Sequence, residues 1–82
     1  MSTPTIARVT VQSSSLASIG HSAEDNVLVI EFRNGSLYRY LDVPADAYEE
    51  LLRAESKGAH FNRFVRTRFV HQRITTREAE NR

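Results

Sequence analysis

The chain has 82 residues, 40% of them hydrophobic and 26% charged, with a formal net charge of +1 and no cysteine. That length makes one domain with a thin core, and without cysteine there are no disulfides, thiolate metal sites or thiol nucleophiles. The composition is globular rather than disordered. The longest apolar run, Val27 to Ile30, is too short for a bilayer, and residues 1–12 lack the basic-then-apolar pattern of a signal peptide. The cytoplasm is the expected location, with no membrane partner.

The small net charge hides a split. Residues 21–50 carry seven acids (Glu24, Asp25, Glu31, Asp42, Asp46, Glu49, Glu50) against two arginines, a net of −5. Residues 51–77 carry Arg53, Lys57, Arg63, Arg66, Arg68, Arg73 and Arg77 against Glu55 alone, a net of +6. Either the basic half faces a polyanion or acidic partner, or the two halves face and neutralise each other.

Residues 1–12 form a loose segment in which Arg8 to Val11 alternates and is a candidate edge strand. Leu16 to His21 reads as a strand, and Asn26 to Arg33 reads more clearly as one, with Leu28, Ile30 and Phe32 on one face. Asn34-Gly35 is a strong hairpin signal, and Ser36 to Val43 returns. Pro44 ends the strand grammar, since proline suits a first helical turn. Asp42 is a candidate cap for a helix over 45–54, which Asp46, Glu49 and Glu50 favour near its positive end. Tyr48, Leu51 and Leu52 share one face of it. Ser56 caps a second helix over 57–66, where Phe61, Phe64 and Val65 share an apolar face and Arg63 and Arg66 fall opposite. Phe69 to Ile74 is extended or irregular, and residues 75–82 form a tail. The prediction is α+β: a three-stranded antiparallel β-meander followed by two short helices packed on one face. The expected core is Leu28, Ile30, Phe32, Leu51, Leu52, Phe61 and Val65.

No catalytic constellation emerges. His21, His60 and His71 lie on three different elements without metal-ligand spacing, so no metal or cofactor is expected. Serines 13–15 and the Ser56-Lys57 pair lack a placed base and oxyanion donors. The first turn after Ser56 offers N–H groups beside Lys57 for one phosphate, although an ordinary capped helix start explains it as well. Tyr38-Arg39-Tyr40 is the most informative feature. Tyrosines at i, i+2 on a strand share a face, and strand-borne aromatics stack bases in several RNA-binding sheets. They also simply cover cores. A two-residue Asn34-Gly35 turn puts the tyrosines opposite the Leu28/Ile30/Phe32 face. A three-residue Arg33-Asn34-Gly35 loop pairs Ile30 with Tyr38 and Leu28 with Tyr40, on the core face. Both loops tolerate Asn-Gly.

The motif order resembles the KTSC domain family. Ser13-Ser14-Ser15-Leu16 leads to Ile19-Gly20, then Phe32-x-Asn34-Gly35, Tyr38-Arg39-Tyr40 and Val43-Pro44. Tyr48-x-x-Leu51-Leu52, Ser56-Lys57-Gly58-x-x-Phe61-Asn62 and Val65-Arg66 follow. The resemblance covers residues 13–74. His21, His60 and Phe69 depart from positions where the family commonly has other aromatics. The family occurs at the C-terminus of some lysyl-tRNA synthetases and as free-standing small proteins. It has no established activity, and RNA binding is suggested by the synthetase context. The expected function is a small non-catalytic binding module for RNA or another polyanion. Lys57, Arg63 and Arg66 would contact phosphates, and Tyr38 and Tyr40 would stack where exposed. The alternative is a protein-interaction module or homodimer using an open sheet edge or the tyrosine face.

Overall fold

The computed structural model describes residues 6–74. Five strands form one antiparallel sheet in sequence order: β1 (Arg8–Thr10), β2 (Leu16–Ser22), β3 (Val27–Phe32), β4 (Leu37–Tyr40) and β5 (His71–Ile74). Two helices, α1 (Ala45–Arg53) and α2 (Lys57–Phe64), are inserted between β4 and β5. The three expected strands and both helices are present, and the candidate edge strand is β1. β5 corrects the expectation of a three-stranded sheet. Its polar sequence has no apolar alternation, and its strand character comes from backbone pairing with β4, Tyr40 opposite His71 and Tyr38 opposite Arg73. The expected tail, 75–82, lies outside the described residues, as do residues 1–5.

The β3–β4 hairpin uses the three-residue loop. The Phe32 N–H donates to the Ser36 carbonyl and the Gly35 N–H to the Phe32 carbonyl, each at 2.9 Å. Gly35 takes φ 94°, a conformation that costs glycine little, and the Asn34 side chain accepts from the Ser36 N–H at 2.9 Å. Leu28 therefore pairs with Tyr40 and Ile30 with Tyr38. On the neighbouring strand Ile19 pairs with Ile30 and His21 with Leu28. All of these side chains share one face, because directly opposed residues in an antiparallel pair point the same way.

The helices cover that face. Leu16, Ile19, Leu28, Ile30 and Tyr40 of the sheet form one core with Val43, Leu51, Phe61 and Val65. Phe32 and Leu52, also expected inside, pack half-buried at its margin. Asp42 does not cap α1. It sits at φ 60° in the turn before the helix, while Pro44 occupies the cap position with no side-chain cap bond. That turn lets Val43 enter the core and donate its N–H to the Asn26 carbonyl at 2.7 Å. Ser56 does cap α2, accepting from the Ala59 N–H at 3.4 Å. Phe64, outside the expected core although on the same apolar face, is 42% exposed. At about 100° per residue the buried Gly58, Phe61 and Val65 define α2's inner face, and Phe64 lies about 60° from Phe61 on the side away from Val65.

The sheet's other face is covered at one end by the chain ahead of β1. A Cβ placed on the buried Gly20 would collide with the Ala7 backbone carbonyl and lie 2.8 Å from Arg8 Cγ. Arg8 reaches Glu31 at 3.7 Å, and Glu31 also accepts from the Ser18 hydroxyl at 2.8 Å. Gly20→Ala is expected to cost about 1–3 kcal/mol through this backbone collision, read as a lower urea midpoint. An unchanged midpoint would show that the Ala7 crossing is not held in solution.

Tyr40 is 3% exposed, and its ring meets Phe61 edge-on at 5.4 Å. Burial pushes its phenol up to about 12; Tyr38 adds to the rise and Arg66 partly offsets it. In the unfolded chain this proton leaves near the ordinary value of 10.0. The contribution is therefore intact below about pH 10 and lost as pH rises through about 12. An ultraviolet titration should show a late phase from one of the three tyrosines, and Tyr40→Phe should remove it. A late phase that persists in the variant would contradict the placement.

Candidate functional site

Burial on the helix-covered face falls away from the centre of the sheet toward β5. Leu28 and Ile30 are fully buried, Tyr40 nearly so, Tyr38 half-buried, and His71 and Arg73 exposed. The β4–β5 pairing therefore brings an aromatic and basic strip to the surface. The Tyr38 ring lies 5.6 Å from His71 and 5.7 Å from Phe32, the latter edge-on. His71 also lies 5.2 Å from Tyr40. Arg73 stands opposite Tyr38 in the register. Arg66, in the connection from α2 to β5, is exposed and close enough to Tyr40 to bear on its phenol.

The structure separates the two tyrosines. Tyr40, expected to stack a base where exposed, is corrected: it is a core residue, and its buried ring has no face for a ligand. Tyr38 is only partly buried, and Phe32 meets its ring by an edge. Lys57 is half-buried, and its ammonium donates to the Ala54 carbonyl at 3.1 Å, satisfying an acceptor just past the end of α1. Arg63 and Arg66 are exposed.

The charge split does not resolve by direct pairing. Among the described residues no acid lies within ion-pair distance of Arg63, Arg66, Arg68 or Arg73, and the acids of α1, Asp46, Glu49 and Glu50, are themselves exposed. Residues 57–73 contain no Asp or Glu at all. His21 stacks on Tyr48 at 5.1 Å and its Nε2 meets the Val43 carbonyl at 2.7 Å, His60 packs on Phe64, and His71 joins the tyrosines. Among the described residues no three metal-ligating side chains gather in one place. Ser13 accepts from the Ser15 and Leu16 N–H groups, each at 3.2 Å, which is the work of a turn. No helix among the described residues is long and apolar enough to cross a membrane.

His71, Arg73 and Arg68 escaped the sequence reading. The signal for the first two was their i, i+2 spacing within a polar stretch, which acquires meaning only once that stretch pairs with β4. Arg68 enters the sequence reading only as part of the basic half.

Comparison with known proteins agrees with this architecture. Residues 12–69 match the family model of the KTSC domain. An uncharacterised protein of Stutzerimonas stutzeri is 51% identical over 55 residues, 67% of this chain and 78% of that protein. A lysine–tRNA ligase of Nostoc punctiforme is 34% identical over 64 residues, 78% of this chain but only 11% of the ligase. The crystal structure of a KTSC domain protein from Yersinia pestis superposes with a TM-score of 0.84 at 34% identity, covering 87% of this chain and 100% of that one. The fold, the matched span and the synthetase relatives together make this chain a member of the KTSC domain family.

Proposed function

We propose that this KTSC domain is a non-catalytic module that binds single-stranded nucleic acid, RNA in the first instance. The observation that carries the reading is the acid-free stretch 57–73, whose exposed arginines have no acidic partner among the described residues and which reaches a partly buried Tyr38 through Arg73, its register partner. Arginines so placed suit phosphates, and an aromatic ring at a sheet surface suits a base. The strip offers one stacking position, Tyr38, with Arg73 opposite it in the register, Arg66 near Tyr40, and Arg63 on α2, three residues before Arg66. Relatives named lysine–tRNA ligases, enzymes whose name specifies an RNA, carry the same domain, which supports RNA over DNA. A cytoplasmic location fits this reading.

Binding of this kind weakens steeply with salt, log K falling by about 0.7 per phosphate contact on a single strand. Arg63→Glu combined with Arg66→Glu should weaken binding similarly for all sequences, because phosphate contacts carry no base information. Tyr38→Ala should cost about 1–3 kcal/mol of binding without changing the salt slope, with circular dichroism used to confirm that the variant is folded. Anisotropy titrations of labelled oligonucleotides at two salt concentrations measure all three effects. If wild-type protein shows no salt-sensitive binding to any RNA or DNA at low ionic strength, the reading is wrong. The protein-interaction or homodimer reading then takes its place, resting on the two edge strands of the described sheet, β1 and β5, and on Val9, 52% exposed on β1.

A further inference from the structure

We propose that Phe64 at the end of α2 is a second base-stacking position, separate from Tyr38 and flanked by two phosphate-binding arginines, Arg63, which it shares with the Tyr38 strip, and Arg68. This rests on the nucleic-acid reading above and adds to it a site on a different element. Phe64 is 42% exposed and lies outside the core. Its ring is not simply adrift in water. The guanidinium of Arg63 sits 5.6 Å from its centroid and that of Arg68 5.9 Å, while the His60 ring lies 4.8 Å away. Arg63 precedes Phe64 on the helix and Arg68 follows from the connection beyond it, so the two arginines flank the ring from both chain directions.

The chemistry of this group is selective. Guanidiniums over an aromatic face hold the ring in place while keeping their N–H groups turned outward for an anion. Among the described residues no acid lies within ion-pair distance of either arginine, so the cluster presents uncompensated positive charge around an apolar face. A ligand that satisfies both parts must join a flat aromatic surface to a negative group. A nucleotide in a single strand does so, its base on the ring or its neighbouring guanidinium and its phosphates on Arg63 and Arg68. His60 closes one side of the ring and adds a second aromatic surface. The cluster and the Tyr38 strip are joined by the single acid-free stretch of residues 57–73, which suits one strand running past both.

The test uses the full chain and an unlabelled oligouridylate. The protein contains no tryptophan, so Phe64→Trp installs a sole indole at the site, and stacking on it quenches its emission. The expected result is saturable quenching that follows the anisotropy curve of a labelled copy of the same oligonucleotide. Phe64→Ala should weaken binding about fivefold or more with an unchanged salt slope. Arg68→Gln should shallow that slope by about one phosphate contact. If the oligonucleotide binds by anisotropy but the indole is not quenched and Phe64→Ala binds like wild type, the second position is overturned and the Tyr38 reading stands. If the oligonucleotide does not bind wild-type protein at all, both fail together.

Discussion

Across the β3–β4 hairpin Leu28 faces Tyr40 and Ile30 faces Tyr38, and most of the molecule depends on that pairing. Side chains on a strand alternate between faces, so a slip of one residue would carry both tyrosines to the side away from the helices. The loop that fixes the register is Arg33-Asn34-Gly35, with the positive φ taken by glycine. Given this register, Tyr40 fills the space beneath Phe61, Tyr38 is left at the margin, and the next strand out sets His71 and Arg73 beside them. The same three loop residues thus decide both what the core contains and what the surface shows.

A sheet in strict sequence order with two helices on one face has an unavoidable boundary where helical cover runs out. Here it falls between Tyr40 and His71. α2 is held down at Gly58, where a Cβ would sit 2.8 Å from the Ser15 hydroxyl, and at Phe61 and Val65, which are buried. This choice of inner face turns Phe64 outward. Exposed aromatic rings and arginines without an acidic partner among the described residues consequently gather along one stretch of chain, while the ion pair between Arg8 and Glu31 lies on the other side of the sheet.

The architecture was readable wherever one physical signal dominated. The alternation through Leu28, Ile30 and Phe32 and the change of period at Val43-Pro44 located β3, β4 and α1. Ser56 located the start of α2. The register was not readable, because β3 carries apolar side chains on both faces, Val27 and Val29 against Leu28 and Ile30, so either hairpin buries something. β5 was not readable because a polar edge strand owes its conformation to a partner distant in sequence. The exposure of Phe64 was not readable, because counting apolar residues names Phe61, Phe64 and Val65 as one face, whereas close approach at Gly58 sets the face that is buried. At the candidate site the arginines were visible as composition, but their lack of acidic partners among the described residues required the fold.

β5 is separated from β4 by residues 41–70, which contain both helices. Every other strand pair in the sheet is joined by a short connection. Zipping β5 onto β4 therefore closes a long loop whose entropy is recovered only when α1 and α2 have docked. The surface strip that pairs Tyr38 with Arg73 exists only in that closed state. A ligand that grips both residues ties the outermost strand to the sheet, so its affinity includes the free energy of closure, and whatever loosens the helices weakens binding without touching a contact residue.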